Sequence, residues 1–338
     1  MVFAPLDPPG QVLFALPGSP ADQVGIGVGD RLVLAEGQEV ASLETEDLRR
    51  ILSAPREEPL HLRVRSTDGS ERDLGVVTRE LVDPTVRHAR LLDPESGVGY
   101  VAVGSFSQQT PDEFDDAVRD LQERGLRALV VDVRGNLGGV LDSAVRIANR
   151  FLPGGLVVSH EGREERVDFM ADPDEAWFAG VPLVVLVDGE SASASEVFAA
   201  ALQEHRVAAI VGSPTYGKGM VQQVRTFGGD KAVVKLTTSY YYTPAHRNLE
   251  RTVDQAWAWG LVPDLRVDLG PLETLEVHSH LASYSPPPGA LEALHSWEAD
   301  LHVDLVRDHP ADAQLDAAVD LLEGRRPGTW GVALADAP

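Results

Sequence analysis

The sequence has no cysteine among its 338 residues. That excludes disulfide staples, thiol catalysis and cysteine-ligated zinc, and it leaves the compartment open. Positive charge is also scarce: 29 lysines and arginines stand against 53 acids, a formal net charge of −24. A chain this acidic repels phosphate backbones and anionic membranes, so nucleic acid is not an expected partner. Lysine itself is almost missing, present only as Lys218, Lys231 and Lys235. No apolar run reaches the ~18 residues of a membrane helix. Met1 to Gly10 lacks the basic and apolar stretches of a signal peptide. What is there is globular: 43% hydrophobic and 24% charged residues, in a chain long enough for two domains.

Residues 1–81 read as a small mixed domain. Gln11 to Ala15 is a short apolar run, followed by a turn at Leu16–Ser19 and a short helix at Pro20–Val24. Arg31 to Leu34 reads as a strand. Leu43, Leu48, Ile51 and Leu52 keep a helical rhythm over Leu43 to Ala54. Leu60 to Arg65 alternates at period two before the turn Thr67-Asp68-Gly69-Ser70, the mark of a hairpin. Residues 82–96 read as a polar connection. From Gly99 the pattern becomes strand, loop, helix, strand. Ala128–Val133, Leu183–Val187 and Val207–Val211 are continuous apolar runs of the kind buried on both faces. Glycine-rich or serine-rich turns lead from the first two into helices, which predicts parallel βαβ units. Met220 to Tyr242 reads as a hairpin around Gly228-Gly229-Asp230. In residues 271–338 two helices are expected, over Ala290–Val306 and Ala311–Leu322.

Several motifs fail on chemistry. Gly25-x-Gly27-x-Gly29 precedes a strand, whereas a dinucleotide fingerprint follows one. Gly212 to Lys218 fits a phosphate loop for seven positions, but Gly219 stands where a magnesium-holding hydroxyl belongs, and the next residues look extended. His278-x-His280 falls in the irregular tail. His205 lies twelve residues from Ser193 on one helix, roughly 18 Å away, too far for proton transfer.

The serine cluster Ser191-Ala-Ser193-Ala-Ser195-Glu196 can be read two ways. Ser193 and Glu196 fit a capping box. The same place, a helix start after a buried strand, gathers amide donors and the positive dipole end, and the Ala194 amide is suited to an oxyanion. Gly138-Gly139 offers a second set of donors at the neighbouring helix start, or simply a helix entry needing unusual dihedrals. A serine needs a base. Arginine stays charged, whereas a lysine whose pKa is lowered by burial can serve, and Lys218 stands between two glycines.

Six stretches carry a resemblance: Gly18-Ser-Pro-Ala-Asp-Gln-Val-Gly-Ile, Gly104-Ser-Phe-Ser-Gln, Asp132-Val-Arg-Gly-Asn-Leu-Gly-Gly, Ser191-Ala-Ser-Ala-Ser-Glu, Thr215-Tyr-Gly-Lys-Gly and Tyr241-Tyr-Thr-Pro. In this order, over Gln11 to Asp268, the chain resembles the carboxyl-terminal processing proteases, the S41 peptidases. The resemblance implies an α/β fold with a ClpP/crotonase-like core at 82–270, a PDZ-like domain at 1–81 and a partly helical segment at 271–338. It implies Ser193 as nucleophile, Lys218 as general base, Gln222 as the group orienting that lysine, and the amides of Gly139 and Ala194 as oxyanion donors. No cofactor or metal is implied. Polypeptides with an exposed C-terminus are the implied substrates and the cell envelope the implied location. A cytoplasmic location and a homo-oligomer stay open. The family's peptide-capturing PDZ strand and carboxylate loop precede the counterpart of Gln11, so the expectation here is an incomplete PDZ domain. Residues 272–310 match no family element. A lysine and a glutamine four apart are ~13 Å apart on a straight strand, so their contact requires a kink. The rival class is a non-catalytic binding module on the same fold, as in the retinoid-binding proteins that resemble these proteases. An enoyl-CoA hydratase relative would leave the serine and lysine unexplained.

Overall fold

The computed structural model describes residues 1–4, 9–54, 56–79, 83–163, 165–227, 232–251, 260–286, 288–301 and 310–325. The chain forms two units: Met1–Asp83 with Tyr284–Asp308, and Pro84–Ser283 with His309–Pro338.

In the first unit β1 (Val2–Phe3) pairs antiparallel with β2 (Val12–Phe14). The helix α1 (Pro20–Gln23) starts on Ser19, whose hydroxyl accepts from the Asp22 amide at 3.2 Å. Then follow β3 (Arg31–Ala35), β4 (Gln38–Glu39), α2 (Thr45–Ser53), β5 (Leu60–Arg65) and β6 (Glu71–Val76), with sheet order β4-β3-β5-β6. The alternation in β5 buries Leu60, Leu62 and Val64 against Val12, Leu32, Val40 and Leu48.

The second unit begins with β7 (Val86–Asp93), β8 (Val98–Val103), α3 (Thr110–Glu123), β9 (Ala128–Asp132) and α4 (Leu141–Asn149). It continues with β10 (Leu156–Gly162), β11 (Arg166–Met170), β12 (Leu183–Val187), α5 (Ala194–Glu204), β13 (Ala208–Gly212), β14 (Met220–Phe227), β15 (Ala232–Tyr242), β16 (Leu265–Arg266) and α6 (Pro271–Ala282). After it come α7 (Pro288–Leu301) and α8 (Ala313–Leu322). The main sheet runs β16-β13-β12-β9-β8-β7, parallel except for β7. Successive side chains point to opposite faces. Val101, Leu129, Val131, Val185 and Ile210 therefore meet Phe114, Ile147 and Phe198 of α3–α5. Tyr100, Val130, Val184, Leu186 and Val211 meet Leu315 and Ala318 of α8. Full burial of such a side chain contributes about 1.5–3 kcal/mol. That explains why these strands are apolar throughout. A second sheet, β11-β10-β15-β14, is antiparallel.

Three expectations change. Residues 82–96 are not merely a connection, because β7 is an antiparallel edge strand. It carries Arg87, His88 and Arg90 with two register shifts, so no clean alternation shows in its sequence. The hairpin β14–β15 forms, but its turn Gly228–Asp230 and Lys231 lie outside the described residues. Finally, residues 271–338 do not stay together. The helices α6 and α8 belong to the second unit and α7 to the first, where Leu294 and Trp297 pack with Ala4, Leu13 and Phe14.

Candidate active site

Strands β9 and β12 are neighbours, and the loops leaving their carboxyl ends are stitched together. The Ser191 hydroxyl donates to the Val133 carbonyl at 2.8 Å, and the Ser195 hydroxyl to the Asn136 carbonyl at 2.9 Å. The Ala192 amide donates to the same Asn136 carbonyl at 3.0 Å. Both hydroxyls are completely buried. Ser193 is the half-buried one of the three. It holds φ 59° and ψ −116° at the start of α5, a left-handed strain tolerated where function requires it and resembling a nucleophile elbow.

Gly138 lies against this serine. A Cβ at Gly138 would sit 2.6 Å from the Ala192 carbonyl and 2.9 Å from the Ser193 Cβ, so only glycine permits the approach. Gly139, at φ 141°, is pressed on Phe106, where a Cβ would be 2.0 Å from the carbonyl oxygen. The glycine pair and Ala194 thus come together beside Ser193, with the Ala194 amide 3.0 Å from where a Gly138 Cβ would be.

Glu196, one turn into α5, is fully buried. Its Oε2 accepts from the amides of Ser193 at 2.9 Å and Lys218 at 2.8 Å. Its Oε1 accepts from the Gly217 amide at 2.7 Å and the Thr215 hydroxyl at 2.5 Å. Burial raises its pKa, and the four donors work against that rise. The Ser193–Glu196 spacing was legible as a cap. The longer reach to Lys218 was not, because nothing local in the sequence marks it.

The side chains of Lys218 and Gln222 differ from expectation. Lys218 is exposed, not buried between its glycines. Gln222 is exposed as well, and its amide donates to Met220 Sδ at 3.4 Å. A register shift falls at Val221/Gln222 in the pairing of β14 with β15. Among the described residues no hydrogen bond joins the Lys218 amine to Ser193 or Gln222.

Behind the loops lies a charged network that sequence reasoning passed over. Arg134, buried, donates to Asp132 Oδ2 at 2.6 Å and to Asp312 Oδ2 at 2.7 Å, and Tyr100 donates to Asp132 at 2.7 Å. Burial works against the Arg134 charge, but Asp132 and Asp312 more than offset it, so the pKa rises. Asp312 also caps α8 by accepting from the Leu315 amide at 3.1 Å. His278 and His280 lie on the helix α6, not in an irregular tail, and His278 pairs with Asp188. His205 Nε2 donates to the Leu156 carbonyl at 2.7 Å.

A serine on a strained helix start, with Gly138 packed against it at the carboxyl ends of parallel strands, has the form of a serine-type acyl-transfer site. The chain belongs to peptidase family S41, whose profile matches residues 97–267, and a PDZ domain matches residues 15–66. It is 29% identical over 330 residues to the carboxyl-terminal-processing protease of Synechocystis sp., covering 96% of this chain and 66% of that one. It is 32% identical over 260 residues to the chloroplastic carboxyl-terminal-processing peptidase 2 of Arabidopsis thaliana, covering 75% of this chain and 48% of that one. The chain therefore spans about two thirds or less of these relatives. An S41 protease structure from Bacteroides fragilis shares the fold, with 20% identity, a TM-score of 0.52, and coverage of 94% of this chain and 78% of that one. Among the described residues no helix is long and apolar enough to cross a membrane.

Proposed function

We propose that this chain is a serine endopeptidase that cleaves polypeptides near an exposed C-terminus through Ser193 and Lys218. Neutral Lys218 takes the Ser193 proton as Oγ attacks the peptide carbonyl. The amides of Gly139 and Ala194 receive the oxyanion. Protonated Lys218 then gives its proton to the leaving amine, and water hydrolyses the acyl-enzyme. The observation that carries this reading is the single Glu196 oxygen that holds the main chains of Ser193 and Lys218. In this reading the Lys218 side chain turns toward Ser193 from that held backbone, and Gln222 orients it once substrate is bound. The envelope location implied by the family goes with this reading.

The exposed Lys218 is what favours the rival, a non-catalytic polypeptide-binding module. Casein cleavage by wild type, Ser193→Ala, Lys218→Ala and Lys218→Arg separates the two. All three variants are expected to be inactive, because arginine keeps its charge and cannot accept a proton. Wild-type-like cleavage by Ser193→Ala would overturn the nucleophile, and substantial cleavage by Lys218→Arg the base. An inactive wild type would favour the binding module.

A further inference from the structure

Asp188 follows β12 directly and sits beneath both loops. Its Oδ1 accepts from the amides of Gly135, Glu190 and Ser191, each at 3.0 Å. Gly135 belongs to the glycine loop and Ser191 to the serine loop, so one oxygen holds two turns. The other oxygen, Oδ2, meets His278 Nε2 at 2.5 Å. His278 Nδ1 lies 3.7 Å from Glu190 Oε2. The imidazole lines a cavity of about 210 Å³ whose other charged groups are Arg134, Asp188, Glu190 and Asp268.

Asp188 is only 7% exposed. Burial opposes its charge, and the bonds from His278 and from the Gly135 and Glu190 amides outweigh burial, so its pKa is lowered. Its contact with Asp188 raises the pKa of His278 in turn. Removal of the histidine would leave a nearly buried carboxylate with one oxygen unpartnered, and such a group reorients toward whatever donor or water it can reach. Both turns would loosen together.

We propose that His278 is a positioning residue for hydrolysis: by holding Asp188 it keeps the glycine loop and the serine loop in register, and with them the Gly139 amide and Ser193. This rests on the reading of Gly139 and Ser193 given above. The effect falls on the transition state, because an oxyanion needs its donors placed more strictly than a bound substrate does.

His278→Ala and His278→Gln test this. Glutamine places an amide donor near the position of Nε2, and alanine places none. Alanine is expected to lower kcat by about tenfold to hundredfold, in the range known for small misplacements, with KM nearly unchanged. Glutamine is expected to recover most of that loss. In a Ser193→Ala background, amide hydrogen exchange at 133–139 and 188–193 is expected to quicken with His278→Ala, while α3 and α8 keep their protection. Wild-type kcat in His278→Ala would overturn the proposal. So would a loss that glutamine does not restore, accompanied by faster exchange across the whole unit. If Ser193→Ala itself cleaved normally, the serine–lysine reading would fall. The exchange measurement would still decide whether His278 holds the two loops.

Discussion

The backbone amides of Ser193 and Lys218, 25 residues apart in sequence, donate to the same oxygen of Glu196 at 2.9 and 2.8 Å. A carboxylate oxygen can take two such bonds, and two amides cannot share it unless their chains converge. The sharing therefore ties the start of α5 to the segment before β14 regardless of where either side chain points.

Glu196 is accordingly expected to matter more than its role as a cap suggests. Glu196→Ala leaves four donors unpaired in a buried place and should cost about 3–5 kcal/mol, read as a fall in urea midpoint. Glu196→Gln keeps one good acceptor and turns an NH2 group toward the other pair of donors. It should fold but lose most of its casein activity. Full activity in the glutamine variant would show that the bracket is not needed for catalysis.

The serines should separate by what each variant loses. Ser191→Ala removes a fully buried hydroxyl that donates to the Val133 carbonyl at 2.8 Å and accepts from the Asp188 amide at 3.0 Å, at a cost of about 1–3 kcal/mol, while some activity survives. Ser193→Gly should be inactive yet more stable by about 1 kcal/mol, because glycine adopts a positive φ without strain. Thermal unfolding beside a cleavage assay reads both effects. A less stable Ser193→Gly would mean that the backbone there is not strained.

Acid should unfold this protein partly through His88. That residue is buried on β7 at φ 55°, stacked on His280 with ring centroids 4.2 Å apart. Burial first, and then the charge of His280, lowers its pKa from 6.5 to about 3. An unfolded chain takes up a proton below 6.5 that the folded chain refuses until about 3. His88 therefore contributes stability above 6.5, which is lost as pH falls through that window. His278 runs the other way: its contribution is present below 6.5 and is lost as pH rises through its raised value. In His88→Asn, which also tolerates a positive φ, stability should fall less steeply between pH 6.5 and pH 3. An unchanged slope would assign the acid sensitivity to other groups.

The helix α7 should be needed by the first unit. Leu294 is wholly buried there with Leu13 and Phe14. Leu294→Ala is expected to cost about 2–5 kcal/mol and to open residues 284–301 to limited proteolysis. Unchanged resistance at that segment would mean the helix is dispensable to the unit.

The core strands could be read in sequence because burial on both faces leaves no choice but apolar residues, as in Leu183–Val187. The hairpin β5–β6 was readable because one wet face forces alternation. By contrast β7 was not, since an edge strand with bulges and three basic residues obeys neither pattern. At the site, Ser193 and Glu196 were visible as neighbours on one helix turn. The exposure of Lys218 and Gln222 was not, because where a long side chain points is settled by packing and not by spacing. His278 was passed over for a similar reason: its partner is 90 residues away, and residues that meet only through the fold leave no local trace.

The division of the chain bears on the order in which the protein is made. Residues 1–83 leave the ribosome before 84–283, and Leu294 and Trp297 follow only after the whole of that stretch has been synthesised. At about 5–20 residues per second, the early segment waits on the order of 10–40 seconds with Phe14 and Leu13 uncovered. The second unit waits too, since α8, which closes one face of its sheet, is made later still. Neither unit can close its core before these late helices are made, so a nascent chain holds back its proposed Ser193–Lys218 site until α8 has followed it.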